Sequence, residues 1–320
     1  MKEKDNRANR VAILGGTGFL GTNLRNTLEA AGFEVAVFGR TNGCDLLDLP
    51  LARSKLDAFR PRHIVNCAAL VGSINFVTDF AADVFDVNMR IVLNVYRIAR
   101  EMRDVVVVNP IANCAYPGVM DEYEEERLFD GPMDASVMSY GSTRRAMVIA
   151  SKCYHNQYRI RSVNLVVPNL YGPFDSVNPN KTHALNALII KFVAAVKFGL
   201  PRVEVWGTGK PIREWLYVKD AAEVVRRAIE SGEESLEPVN LAQKHGQSVA
   251  ELVELLRGMS GFKGAIEYDS KYQDGAPKRI MNDTRFRERF PDFRFTPQEA
   301  GVRETMDYYR KVLQRSDVAT

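Results

Sequence analysis

The sequence predicts an α/β protein built on a doubly wound parallel sheet, with a smaller, mostly C-terminal α/β domain beside it. Two observations carry this. Strand-like and helix-like stretches alternate from residue 11 to residue 167, and right-handed crossovers turn such alternation into parallel strands covered by helices on both faces. Near the start, Val11-Ala12-Ile13-Leu14 runs into Gly15-Gly16-Thr17-Gly18-Phe19-Leu20-Gly21, which reads as a buried strand, a glycine turn and the first turn of a helix. The glycines permit positive φ and close approach of backbone to a pyrophosphate, and the helix presents free N–H groups to that anion. With this context on both sides, Gly15, Gly18, Phe19, Leu20 and Gly21 form a candidate dinucleotide site.

The elements follow in order. Leu20, Leu24, Leu28 and Ala31 recur at helical spacing, and Gly32 stands at the C-cap position. Phe33 to Phe38 alternates as a second strand and ends at Gly39-Arg40. A dinucleotide site for NAD places Asp or Glu near here, whereas a small residue followed by Arg40 leaves room and charge for a 2′-phosphate. NADP is therefore favoured over NAD, with a solvated arginine as the plain alternative. Asp45 and Leu46 fall where such folds line the adenine. His63 to Ala69 is a third strand, and the small Ala68 and Ala69 let its loop pass close to the cofactor. From about Phe80 to Met102, Val84, Val87, Ile91, Val95 and Ile98 share one face of a crossover helix. Val105 to Val108 reads as a central strand leading into Asn109–Pro117, and the acidic run Asp121–Arg127 reads as a solvated loop. Tyr140 opens a helix that continues through Met147, Ile149, Ala150, Cys153 and Tyr154, with Arg144 one turn on and on the same face.

Ser162–Val167 is another buried strand, broken by Pro168-Asn169-Leu170-Tyr171-Gly172-Pro173. The composition then shifts to Asn, Pro and Lys, which marks departure from the sheet layer. His183 opens a helical run through Phe198, followed by a strand at Val203–Trp206 and the turn Gly207-Thr208-Gly209. Asp220 with Glu223, and Ser248 with Glu251, have capping-box spacing for helices ending at Gly232 and near Gly258. The expected division is a dinucleotide-binding domain of residues 1–172 plus about 214–245, and a second domain of about 173–213 and 246–320.

Composition narrows the class of partner. Among 320 residues, 43 Lys and Arg face 40 Asp and Glu, a net charge of +3 that gives no case for nucleic acid or a membrane surface. Met1–Arg10 is polar, and no stretch approaches the roughly 20 apolar residues of a membrane span, so the expectation is a cytoplasmic protein. Cys44, Cys67, Cys114 and Cys153 are spaced for neither a disulfide framework nor a zinc site, and no metal is expected.

Several further motifs occur in one order: Ala68-Ala69-Leu70-Val71-Gly72, Asn88, Cys114-Ala115-Tyr116-Pro117, Tyr140, Pro168 to Pro173, His183, Val205 to Gly209 with Arg213-Glu214, and Asp274 to Arg279. With the glycine turn, they make residues 10 to 312 resemble the extended short-chain dehydrogenase/reductases, the NAD-dependent epimerase/dehydratase family. Within it the chain is most similar to the GDP-L-fucose synthase branch. The resemblance implies a Rossmann domain, NADP, a nucleotide sugar held between two domains, and hydride transfer at a sugar carbon with Tyr140 passing the proton. A free phenol has a pKa of about 10, so a drop of about 3 units would take roughly 4 kcal/mol from a neighbouring cation.

Two positions depart from the family pattern. Arg144 stands where the family has lysine, keeping the charge and the bonds to ribose hydroxyls while removing a proton relay. Ala112 stands where the family has a catalytic hydroxyl, a type of donor whose loss costs about 100-fold or more in rate. Asn113 next door is a candidate replacement, unless alternation along the strand turns it away. Cys114 and His183 match the pair that exchanges protons beside the 4-keto group; singly, they also read as a small core residue and a helix-start histidine. The resemblance further implies Pro168 and Asn169 at the cofactor, Asn169 and Tyr171 at the nicotinamide end or the sugar pocket, and Arg213 and Lys278, then Arg279, at the diphosphate. Trp206 stacks on the base or packs as a buried aromatic. A homodimer would pair the helices carrying Val84–Ile98 and Tyr140–Tyr154. The expected activity is NADP-dependent epimerisation of a nucleotide-linked, GDP-type 4-keto sugar at C3/C5 with C4 reduction. An epimerase or dehydratase without net redox is the alternative, and a silent dinucleotide-binding sensor or scaffold is a third, which has no use for a Cys–His pair.

Overall fold

The computed structural model describes residues 7, 9–102 and 104–316; most of the polar stretch before Arg10 and the last four residues lie outside them. Its strands are β1 (Arg10–Leu14), β2 (Glu34–Phe38), β3 (His63–Asn66), β4 (Val106–Ala112), β5 (Arg161–Val167), β6 (Asn169–Tyr171), β7 (Arg202–Trp206), β8 (Ile212–Arg213), β9 (Trp215–Tyr217), β10 (Ser235–Asn240), β11 (Gln247–Ser248), β12 (Ala265–Asp269) and β13 (Lys278–Arg279). The helices are α1 (Phe19–Ala30), α2 (Leu49–Phe59), α3 (Ile74–Asp79), α4 (Ala81–Glu101), α5 (Met138–Tyr158), α6 (Ala184–Phe198), α7 (Val218–Ser231), α8 (Val249–Ser260), α9 (Thr284–Arg289) and α10 (Gln298–Ser316).

Six strands form one sheet in the order β10-β5-β4-β3-β1-β2, and every pairing in it is parallel. A parallel sheet must be covered on both faces, and the valines of β4 show the result: Val107 packs with residues of α2, α4 and α5, while Val106 and Val108 pack with those of α1 and α7. The strand order reverses between β1 and β3, which opens a crevice beyond their carboxyl ends. A third apolar cluster joins α6, β7, α8 and α10 through Leu185, Phe192, Val205, Leu252 and Tyr309.

Several local expectations change on folding. The second capping box forms, with the Ser248 side chain accepting from the Glu251 amide, but α8 runs on to Ser260 and Gly261 takes the left-handed conformation in place of Gly258. The first capping box does not form, because α7 starts at Val218 and places Asp220 inside its first turn. The Asp220 carboxylate instead accepts the amide and hydroxyl of Thr296 at 2.8 and 2.7 Å. Ala31 lies just past α1 as its C-cap. Pro110 sits within β4 opposite Leu165, and α3, not expected from the sequence, is capped by the Ser73 side chain, which accepts the Phe76 amide at 3.3 Å. The acidic run is not uniformly solvated: Tyr123 and Glu125 are buried, and Glu125 Oε1 accepts the Asn240 amide at 2.9 Å, closing the end of β10. From the C-terminal stretch, Phe286, Phe290 and Phe293 pack into the cluster of α1 and α7. Among the described residues no helix is long and apolar enough to cross a membrane.

Candidate active site

The glycine turn is built by backbone contacts that leave no room for side chains. Gly15 has φ +72, and a Cβ there would lie 2.8 Å from the Ala68 Cα; a Cβ at Gly21 would lie 2.4 Å from the Gly15 carbonyl oxygen. The turn therefore seats directly on the chain leaving β3. Gly18 precedes α1 without a side-chain cap, so the first amides of the helix are left for an anion. Phe19 and Leu20 tuck half-buried against the core cluster behind it. Beyond the turn lies a cavity of about 300 Å³ lined by Gly15, Gly18, Arg40, Asp45, Leu46, Ala68 and Ala69. Arg40 is exposed at its rim, while Asp45 is engaged with the Leu47 amide at 3.0 Å and the buried Leu46 offers its carbonyl to Asn94 at 2.8 Å. Glycines filled by neighbouring backbone, small alanines and open helix amides fit a dinucleotide.

At the other end, Tyr140 and Arg144 stand one turn apart on α5, with the guanidinium 4.7 Å from the centre of the phenol ring. Arg144 is buried and donates to Asn88 Oδ1 at 3.3 Å. Asn88, on α4, also accepts the Leu70 amide and donates to the Leu70 carbonyl, at 3.1 and 2.8 Å. It thus ties α4, α5 and the loop after β3 together. Burial raises the Tyr140 phenol above its ordinary value, with Arg144 opposing, so the resting side chain carries its proton.

Cys114 lies in a 3₁₀ turn after β4, and the backbone of Gly141 presses against it: a Cβ there would meet the Cys114 carbonyl oxygen at 2.5 Å. Burial pushes the Cys114 thiol up to about 11, against the charges of Arg279 and Arg144. Cys67, which the sequence reading left aside, joins the group; burial pushes its thiol up to about 12, and it lies within the electrostatic reach of Tyr140. Ala112 ends β4, and the next side chain, Asn113, is buried with its amide nitrogen unpartnered among the described residues. A buried donor left unmade costs about 1–3 kcal/mol, which marks Asn113 as a group awaiting an acceptor.

His183 stands apart from that cluster in its contacts. It precedes α6, its Nδ1 lies 3.1 Å from Asp175 Oδ2, and its ring packs on Phe19 with centroids 5.1 Å apart. The histidine is thereby fixed to the helix that follows the glycine turn.

The expected diphosphate residues meet on a small sheet where β8 and β13 run parallel with Arg213 opposite Arg279. Arg213 donates to the Asp274 carbonyl at 3.0 Å, and burial, then Arg279, lower its pKa to about 10. Arg279 is buried, with Nε and Nη2 unpartnered among the described residues. Lys278 is exposed, because successive residues of a strand face opposite ways. The fully buried Glu214 accepts the amides of Gln243 and Met281, and burial lifts its carboxyl to about 7. Pro168 is buried, and Asn169 spends its amide nitrogen on the Glu214 carbonyl at 3.2 Å. Trp206 is 36% exposed rather than buried, stacked on Tyr272 at 4.3 Å and 10° with the Lys191 ammonium 4.6 Å from its centre. A stacked ring and a cation this close take opposite faces of the indole.

Tyr140, Arg144, Cys114 and Cys67 thus form one largely buried group, which Arg279 reaches electrostatically at Cys114 and beside which Asn113 lies next to Cys114 in the chain. The glycine turn and Arg40 form a second, and His183 with Asp175 a third beside it. Asp175, Cys67 and the hold of Asn88 on Arg144 were missed from sequence. Seven residues of irregular chain separate Asp175 from His183, and no periodicity spans such a stretch.

Residues 11–242 match the family model described as the NAD dependent epimerase/dehydratase family. The chain is 31% identical over 314 residues to the probable GDP-L-fucose synthase 1 of Oryza sativa subsp. japonica, covering 95% of this chain and 92% of that one. It is 28% identical over 310 residues to the GDP-L-fucose synthase of Escherichia coli (strain K12), covering 94% and 96%. Among solved structures, a GDP-L-fucose synthetase from Naegleria fowleri superposes with a TM-score of 0.86 at 22% identity, over 97% of this chain and 95% of that one; at that identity the likeness is one of fold. Sequence match and fold agree, and the chain belongs to the NAD-dependent epimerase/dehydratase family.

Proposed function

We propose that this protein is an NADP-dependent enzyme acting on a GDP-linked 4-keto sugar, epimerising C3 and C5 and reducing C4. The observation that carries the proposal is the Arg144 guanidinium 4.7 Å from the centre of the Tyr140 ring, with Cys114 within electrostatic reach of both; Asn113, next to Cys114 in the chain, is buried with its amide nitrogen unpartnered among the described residues. Relatives named as GDP-L-fucose synthases support the nucleotide and the sugar class, and the solved Naegleria fowleri structure bound to NADP supports the cofactor.

In this reading the glycine turn, Asp45, Leu46, Ala68 and Ala69 hold the dinucleotide, Arg40 bonds its 2′-phosphate, and Arg144 and Pro168 line its nicotinamide end. When bound, it supplies hydride to the sugar carbon. Tyr140 gives its phenolic proton to the C4 oxygen, and Arg144, permanently charged, stabilises the phenolate left behind. Asn113 donates to the same oxygen in place of the hydroxyl missing at Ala112. Cys114, a neutral thiol at pH 7, delivers a proton to one face of the enolate, while His183 removes one from the other. Arg213, Arg279 and Lys278 bind the diphosphate, Asn169 the sugar, and Trp206 the base. For the last of these, the indole must exchange Lys191 or Tyr272 for the base.

The sugar lies between residues 1–172 with 214–245 and residues 173–213 with 246–320. Two copies pair through α4 and α5, where Phe85 and Ile149 are about half exposed. The four free cysteines suit the cytoplasm.

Ala112 and Arg144 favour a second reading, epimerisation without net redox. Incubation with GDP-4-keto-6-deoxymannose and NADPH in heavy water separates the two. Deuterium uptake with loss of NADPH absorbance supports the epimerase-reductase, and uptake without it supports the second reading. If neither occurs, the substrate assignment is wrong.

A further inference from the structure

We propose that Asp175 is a positioning residue that fixes His183 as the Nδ1–H tautomer, so that Nε2 is its basic nitrogen; this rests on the acid–base role proposed for His183. The geometry is that of an acceptor surrounded by donors. Asp175 Oδ2 receives the backbone amide of His183 at 2.9 Å, its ring Nδ1 at 3.1 Å and the Asn186 side-chain amide at 2.8 Å, while Oδ1 receives the Ser176 amide at 2.8 Å. Asn186 is itself fixed, accepting the Gly172 amide at 2.9 Å. The Asp175 side chain is 3% exposed, whereas that of His183 is 42% exposed.

A carboxylate ringed by N–H donors has only lone pairs to offer, and a ring nitrogen bonded to it must bring the proton. Burial works to raise the Asp175 carboxyl, but the bonds from His183 and Asn186 outweigh it and hold the group below its ordinary value. It therefore stays ionised, and the proton stays on Nδ1. No hydrogen bond reaches Nε2 from the described residues, so its lone pair is left for a substrate. Packing on Phe19, with planes at 46°, restricts rotation of the ring out of this orientation.

The chemical consequence is directional. Nε2 accepts the proton α to the ketone, the C–H electron pair passes into the enolate, and the imidazolium that forms is stabilised by the Asp175 charge. In the reverse sense the proton returns from Nε2 to carbon and the imidazole is neutral again. Asp175 remains a carboxylate throughout. The other tautomer would turn an N–H toward the carbon acid and remove nothing.

Two-bond 1H–15N correlation spectra of [15N-His] protein, recorded where the ring is neutral, read the tautomer of each of the four histidines. His183→Gln identifies the relevant signal. The expected wild-type pattern is Nδ1–H, unlike the Nε2–H form that free imidazole side chains favour, and an Nε2–H pattern overturns the inference whatever the activity. Asp175→Asn is expected to lose the Nδ1–H signature and to slow deuterium exchange at the His183-dependent carbon by about 100-fold or more, with little change in KM. Exchange at the wild-type rate in folded Asp175→Asn also overturns it. Asn186→Ala strips the same carboxylate oxygen of a different donor, and is expected to lower stability while keeping the tautomer and the exchange rate; loss of the tautomer there overturns Asp175 as its source. If His183→Gln exchanges like wild type, the proposed role of His183 falls, and the tautomer result still stands. The wild-type spectrum decides the inference even if Asp175→Asn does not fold.

Discussion

At the scale of single residues, the proposed site rests on two positions, Ala112 and Arg144, where the family resemblance leads one to expect a hydroxyl and a lysine. One place along the chain from Ala112, Asn113 keeps a buried amide nitrogen without a partner among the described residues. The Arg144 guanidinium lies over the Tyr140 ring and is steadied by Asn88. Tyr140→Phe deletes the transferable proton and little volume, so it is expected to abolish any redox step while NADPH affinity, followed by fluorescence titration, stays near wild type. Unchanged turnover would remove Tyr140 from the proposal. The pairing of Tyr140 with Arg144 was legible in the sequence, because a helix guarantees that residues four apart share a face. What was not legible is which neighbour is buried: the alternation that leaves Lys278 exposed and Arg279 inside depends on where a two-residue strand pairs, and the sequence holds no signal for so short an element.

At the scale of elements, the parallel strands, the glycine turn and the helices facing the sheet were readable from period and punctuation, since each buries a continuous apolar face. The first capping box failed because α7 begins at Val218, and the Asp220 carboxylate is used in a tertiary contact instead, where Thr296 offers it two donors from another segment. The second box survives on an exposed helix start, so Ser248→Ala is expected to cost about 1 kcal/mol in urea denaturation, while Asp220→Ala acts by loosening the 296 segment instead. Strand β13 gives a sharper contrast. Arg279→Ala is expected to weaken GDP binding by about tenfold or more, because it removes charge-assisted bonds at a buried site worth about 1.5–3 kcal/mol. Lys278→Ala, on the exposed face, is expected to change it far less. Isothermal titration with GDP checks both, and equal losses would remove the distinction between the two faces.

At the scale of the whole molecule, Glu214 holds together segments that the sheet does not: its carboxylate joins the residues around 243 and 281 from the link between β8 and β9. Its folded pKa of about 7 lies above the usual carboxylate value of 4.5, so between those values the folded state binds the extra proton. Its stabilising share is complete below about 4.5 and is lost as pH rises through about 7, a change of about 3 kcal/mol over the window. Denaturation of wild type against Glu214→Gln across that range is expected to show this falling difference, and a flat difference would mean that Glu214 ionises normally.

The order of strands in the sheet also has a consequence for synthesis. The cavity-lining residues all precede position 92 and five strands of the sheet are complete by Val167, but the sixth, β10, arrives only with Ser235–Asn240. While the intervening chain is being made, the free edge of β5 is an open template for pairing with other chains. A nascent chain stopped at residue 234 is therefore expected to aggregate or to recruit a chaperone, and one stopped at residue 283, with Asn240 and Met281 both available, to resist protease. Equal protease sensitivity of the two arrested chains would show that β10 does not close the sheet during translation.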